Sequence, residues 1–237
     1  MSLETRATHY DEGGRMNFCS YPRSGSHWIL EMLSKCTNGI FPRKTGGWRA
    51  LINKSHSLHI FRNPVVYLCR HGKDSILSYA KFMHHRFASN VRDFNSKYLR
   101  EMIIENQLPL QWRIHMDHYF SQNNTKICYI RYEDMLRMPI NTLKIIMRFY
   151  GMDILHLDEQ AVWDSCGLLP ALSHVYPSGK RGYLPQLKYV KTGWASPDHR
   201  MAAFTERWKG SEEWTEEVEM IVNDYIGETL LKYGYLP

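Results

Sequence analysis

Two stretches of the sequence concentrate side chains that bind anions. In the first, Tyr21-Pro22-Arg23-Ser24-Gly25-Ser26-His27-Trp28, a short strand-like run passes directly into a helix-like one. A helix start presents N–H groups without intrahelical partners at the positive end of its dipole, which suits an anion. Ser24 and Ser26 add hydroxyl donors, Gly25 permits close backbone approach, and Arg23 adds a planar cation. The stretch is not a Walker A loop, because the GxxxxGK[ST] spacing is absent. On position alone a plainer reading stays open, a Gly/Ser turn with a surface arginine. In the second stretch Arg70 ends the apolar run Val65-Val66-Tyr67-Leu68-Cys69, Lys73 lies in the turn, and Ser78 follows inside a helix-like segment. Cations and a hydroxyl at a strand-to-helix junction make a phosphate cradle. The competing reading pairs Arg70 and Lys73 with Asp74 and other acids on a solvated edge.

The elements that position these residues alternate in type. Strand-like runs at Asn17–Tyr21, Leu51–Lys54, Val65–Cys69 and Lys126–Ile130 alternate with helix-like periodicity in His27–Cys36, around Ile76, Ala80 and Met83, and in Ile140, Leu143 and Met147. Pro139 opens the last of these helices and Gly151 closes it, and a further amphipathic helix follows over Val218 to Thr229. Such alternation predicts an α/β fold of three layers, with a mainly parallel central sheet flanked by helices. Ligands of these sheets bind at the carboxyl ends of the strands, which is where both anion-binding stretches fall.

Taken in order, these segments resemble the sulfotransferases that use 3′-phosphoadenosine 5′-phosphosulfate (PAPS). Residues 21–28 are similar to that family's phosphosulfate loop, YPKSGTTW, and Lys54-Ser55-His56 to its K-[ST]-H. Val65 to Tyr79 resembles its strand–R-N-x-K-D-x-x-x-S-Y–helix, with the eight-residue spacing of Arg70 and Ser78 kept, and Tyr132-Glu133-Asp134-Met135 resembles its Y-E-D-M. The resemblance spans residues 16 to about 150 and implies a P-loop-like nucleotide-binding topology. It also implies sulfuryl transfer from PAPS to a hydroxyl or amine, with 3′,5′-bisphosphoadenosine (PAP) as product. On that basis His56 is expected to take the acceptor's proton, at an ordinary pKa near 6.5. Arg23, Ser24, Gly25, Ser26 and His27 are expected to hold the 5′-phosphosulfate, Trp28 to stack on adenine, and Arg70 and Ser78 to hold the 3′-phosphate. A strand-end histidine bonded to a backbone carbonyl and a core tryptophan are the plainer alternatives for His56 and Trp28.

The sequence also departs from the family pattern. Arg23 stands where many members carry lysine, so it can stabilise charge on the leaving nucleotide but cannot donate a proton at neutral pH. Arginine here resembles carbohydrate-directed branches, which favours a glycan-type acceptor. His27 replaces a threonine, and its ring is expected to crowd or hydrogen-bond the phosphosulfate. The family's R-K-G-x-x-G-D-W is split, with Lys180-Arg181-Gly182 similar to its first half, Gly193-Trp194 to its second, and Lys191 a rival for the same role. Residues 173–210 are read as a loop closing over the nucleotide. Residues 39–50, 84–100 and 165–200, with Trp48, Phe87, Phe94, Tyr176 and Tyr183, are read as acceptor loops.

Composition sets outer limits. The chain has 237 residues with 43% hydrophobic and 23% charged, which excludes a largely disordered protein. Thirty Lys and Arg against 24 Asp and Glu leave a net +6, which invites an anionic partner. Nucleic acid is not the expected one. The five cysteines form no CxxC pair, as befits reduced thiols in a cytoplasmic protein, and the His115, Asp117 and His118 group is read as structural, so no metal is expected. No run approaches the length of a membrane span. Residues 1–15 read as a polar, flexible leader without a targeting core, and 16–237 as a single domain. A kinase-like P-loop protein, which would need a Walker A loop and a magnesium-holding aspartate, and a catalytically decayed sulfotransferase-like binding protein are the alternatives.

Overall fold

A computed structural model describes residues 8–10, 16–38, 40, 51–61, 64–88, 92–122, 126–166 and 205–235. Among them the strands are β1 (Thr8–Tyr10), β2 (Met16–Ser20), β3 (Ile52–Ser55), β4 (His59–Phe61), β5 (Val65–Cys69) and β6 (Ile127–Arg131). The helices are α1 (Ser26–Lys35), α2 (Gly72–Phe87), α3 (Ser96–Glu105), α4 (Leu108–Ser121), α5 (Tyr132–Arg137), α6 (Pro139–Phe149), α7 (Glu159–Cys166) and α8 (Glu216–Lys232).

The central sheet has the order β3-β2-β5-β6, and every pair in it is parallel. All five residues of β5 are buried, because an interior parallel strand is covered on both faces. Its side chains divide with period two. Val66 and Leu68 join a core with α1, α5 and α6, while Val65, Tyr67 and Cys69 join a second core with α2, α3, α4 and α8. The three-layer α/β reading is thus the observed architecture.

The chain leaves β2 for β3 on one side and returns to β5 on the other. The crevice at this reversal is the open end of the sheet. Register places Cys19 beside Ser55, Ser20 beside Leu68, and Cys69 beside Arg131. The loops after all four strands therefore emerge together.

Several boundaries differ from expectation. α3 and α4 are not among the elements expected from periodicity, and α2 and α3 occupy much of the 84–100 stretch read as an acceptor loop. α4 packs against α2, α3 and α8 as well as the sheet, so its apolar residues do not form a single stripe. Within the stretch read as a leader, β1 pairs in parallel with β4. Cys19, Cys69 and Cys128 are free thiols.

Candidate active site

The loop after β2 is held in an uncommon backbone conformation. Arg23 has φ +67° and Gly25 φ +93°, both in the left-handed region. For Arg23 this costs about 1–3 kcal/mol, a strain that tightly packed surroundings sustain. At Gly25 a side chain is also excluded by space. A Cβ there would stand 2.4 Å from Cε2 of Tyr132. We expect Gly25→Ala to lower the unfolding free energy by about 2–4 kcal/mol in urea titrations. An unchanged midpoint would show that Tyr132 swings clear.

α1 starts directly after this loop. Its first ring closes from Ile29 N–H to the Gly25 carbonyl at 3.2 Å, and no side chain caps the terminus. The amides of the first turn are thereby available to an anion. Ser24 is fully buried, and its hydroxyl has no hydrogen-bond partner among the described residues. A buried hydroxyl of that kind costs free energy unless a ligand or water engages it. The loop therefore fits an anionic group.

Arg23 joins the two anion-binding stretches. Its Nε donates to Ser78 Oγ at 3.4 Å, and its guanidinium lies 5.2 Å from the Phe82 ring centre. Its backbone carbonyl accepts from Arg70 Nη1 at 3.1 Å. Arg70 is 6% exposed and sits 4.6 Å over the Tyr132 ring. Arg23, Arg70 and Ser78 are thus brought together, although they lie on three different elements. Lys73 is not part of this group. It is 3% exposed, pairs with Glu219 of α8, and lies 4.4 Å over the Trp208 ring. For Lys73 the structural reading holds, with a partner different from the Asp74 considered above. Asp74 instead accepts from the amides of Glu206 and Arg207 at 2.9 and 2.8 Å, and so anchors the start of the 205–210 turns to α2.

His56 follows the end of β3. Its Nδ1 lies 2.7 Å from the Ser20 carbonyl, which can only accept, so Nδ1 carries the proton and Nε2 keeps its lone pair. The backbone-bonded histidine and the proton acceptor are therefore one arrangement. The pKa of His56 is lowered to about 4, first by desolvation, then by Lys54 and Arg23, against a raising effect of the Ser20 carbonyl. This corrects the ordinary value expected above. The residue is exposed overall, and with its pKa lowered to about 4 the ring is neutral at pH 7.

The sulfotransferase domain model matches residues 56–168, a span that begins at His56 and includes Arg70, Ser78 and Tyr132. Over this span, just under half of its length, the chain is similar to the sulfotransferase family. No curated protein matches it in sequence. Its fold is similar to that of a mouse sulfotransferase complexed with PAP, with a TM-score of 0.54 at 16% identity over 92% of this chain and 84% of that one. It is also similar to retinol dehydratase in complex with androsterone and inactive cofactor PAP, with a TM-score of 0.55 at 16% identity over 92% and 80%. At such identities the likeness concerns the fold.

The Y-E-D-M segment has a role that the motif alone did not reveal. Tyr132 fills the space beside Gly25 and underlies Arg70, while Glu133 Oε1 accepts from the His71 amide at 3.1 Å. One turn of α5 thus braces both anion-binding loops. Burial raises the pKa of Glu133. Other expected residues have contacts of their own. His27 lies 3.8 Å from Glu31 along α1. Trp28 is 3% exposed, edge-on to Tyr132, and part of the core, the plainer of its two readings. His115 is buried against the Tyr67 hydroxyl at 2.9 Å, and no group able to hold a metal occurs among the described residues. Lys180, Arg181, Gly182, Lys191, Gly193, Trp194, Trp48, Tyr176 and Tyr183 lie outside the described residues. Among those described, no helix is long and apolar enough to cross a membrane.

Proposed function

We propose that the protein moves a sulfuryl group from PAPS to a hydroxyl of an acceptor, and releases PAP. The observation that carries this reading is the convergence of His56, the α1 amides with Ser24, and the Arg23–Arg70–Ser78 group at one end of the sheet. In the reaction the acceptor oxygen bonds to sulfur as the sulfur–oxygen bond to the 5′-phosphate breaks. His56 Nε2 takes the acceptor's proton. Charge growing on the leaving phosphate is met by Arg23, Ser26 and the loop amides, as in phosphoryl transfer, where positioning and charge stabilisation lower most of the barrier. Arg70 and Ser78 hold the 3′-phosphate, and Lys180, Arg181 and Gly182 complete the nucleotide site.

A base with a pKa near 4 is weak at neutral pH. The donor's negative charge, brought beside Lys54 and Arg23, opposes the two cations that depress His56 and moves it back toward neutrality. The acceptor is a carbohydrate or a small molecule. The half-buried Phe82 beside Arg23 offers it an apolar surface. Residues 16–237 act as one domain, and the free buried thiols support a cytoplasmic setting.

Thermal unfolding with and without nucleotide tests the donor. PAP at about 100 times its dissociation constant should add roughly 2.7 kcal/mol of stability. ATP at the same concentration should add little, because it carries no 3′-phosphate. A larger shift with ATP than with PAP would favour the kinase-like alternative, and no shift with either would overturn the proposal.

A further inference from the structure

We propose that Tyr119, on α4, is a positioning residue for His56, acting through the backbone of the turn that carries it. The proposal rests on the sulfotransferase reading, since it assigns a support to the base which that reading invokes.

The turn between β3 and β4 runs from His56 to Leu58 and has no secondary structure of its own. Such a turn is ordinarily the loosest part of a fold. Here a fully buried hydroxyl clamps it from below. Tyr119 Oη donates to the Ser57 carbonyl at 2.9 Å and accepts from the His59 amide at 3.3 Å. It also accepts from the Cys19 thiol at 3.0 Å. One oxygen therefore fixes the backbone on the carboxyl side of His56 at two points and ties it to β2.

The ring that carries this hydroxyl has little freedom. It stacks on Tyr67 of the central strand at 4.3 Å between ring centres, with 18° between planes. A second contact from α4 holds the same turn, where His118 Nε2 meets the His59 carbonyl at 2.9 Å. On the far side, β1 pairs with β4 from His59 onward. His56 itself is held at its ring by the Ser20 carbonyl, the residue next to Cys19 on β2. The side chain of the base and the backbone behind it thus refer to consecutive residues of one strand. A base must be held to within a fraction of an ångström to accept a proton in flight, and this pair of clamps supplies that constraint.

Tyr119→Phe removes the hydroxyl and keeps the stacked ring. The test is nitrogen NMR of histidine-labelled protein, followed through a pH titration, with PAP binding measured on the same samples. In the parent protein we expect His56 in the Nδ1–H form with a depressed pKa. In Tyr119→Phe the loosened turn admits water to the ring. The His56 pKa then rises by about one unit and the other tautomer appears, while PAP affinity stays within about twofold. Cys19→Ala, which leaves the hydroxyl but removes its tie to β2, should show a smaller shift in the same direction. Unchanged His56 signals in Tyr119→Phe would overturn the proposal. If the parent protein does not bind PAP, the sulfotransferase reading fails first; if it binds PAP and Tyr119→Phe leaves His56 unaltered, only the role of Tyr119 is lost.

Discussion

His56→Ala should lower turnover by about 100- to 10,000-fold, the range a positioned general base contributes, with PAP affinity within about twofold of the parent. The split follows from the geometry. His56 reaches the site from β3 and bonds to the Ser20 carbonyl, whereas the anion-binding groups come from the β2 loop, the loop after β5 and α2. Turnover is read as PAP released from PAPS across a panel of hydroxyl acceptors. The pH profile adds a second check, and its sign is fixed by the role. A base works unprotonated, so activity falls as pH falls through its pKa. Since His56 is depressed to about 4 in the free protein, the acid limb of kcat/KM belongs near that value. The limb of kcat should lie higher, because bound donor raises the pKa. Parallel losses of affinity and turnover, or an acid limb that survives in His56→Ala, would make His56 a structural residue.

For Arg70→Ala the expected loss is in binding. PAP affinity should fall by about 100-fold or more, roughly 3 kcal/mol, as expected when a buried, charge-assisted phosphate contact is removed. Arg70 also donates to the Arg23 carbonyl and covers Tyr132, so part of the effect arises from a loosened loop. Adenosine 5′-phosphosulfate, which lacks the 3′-phosphate, separates the two contributions. Its affinity should drop by less than that of PAP, because it loses only the loop support. Arg70→Lys keeps the charge but not the planar fork, and should recover only part of the loss. Unchanged PAP affinity in Arg70→Ala would remove this residue from the nucleotide site.

Local pattern was sufficient where burial is simple. Val65 to Cys69 reads as an interior parallel strand because every residue is apolar, and each is buried. Pro139 and Gly151 bracket α6 because fixed φ at one end and a positive φ at the other are local demands. Pattern did not reveal α3 or α4. The first opens on an Asn95 cap and the second follows Gln107 in a left-handed conformation, and α4 is packed on several sides at once. Lys73 shows the same limit at a single residue. Its position in the turn suits a phosphate, but its partner Glu219 is 146 residues away in sequence.

The sequence by itself determined the fold class and which residue types meet an anion, since strand and helix periods, glycine conformations and fixed charges are properties of short segments. Only the tertiary structure decided their relations. It set the protonated nitrogen of His56, through the Ser20 carbonyl, and the weakness of that base, through desolvation beside Lys54 and Arg23. It also revealed Tyr132 and Tyr119 as supports, one under Gly25 and Arg70 and the other under the turn that carries His56. Desolvation and support depend on what is packed against a group from other elements, and the order of residues in one segment carries no record of that packing.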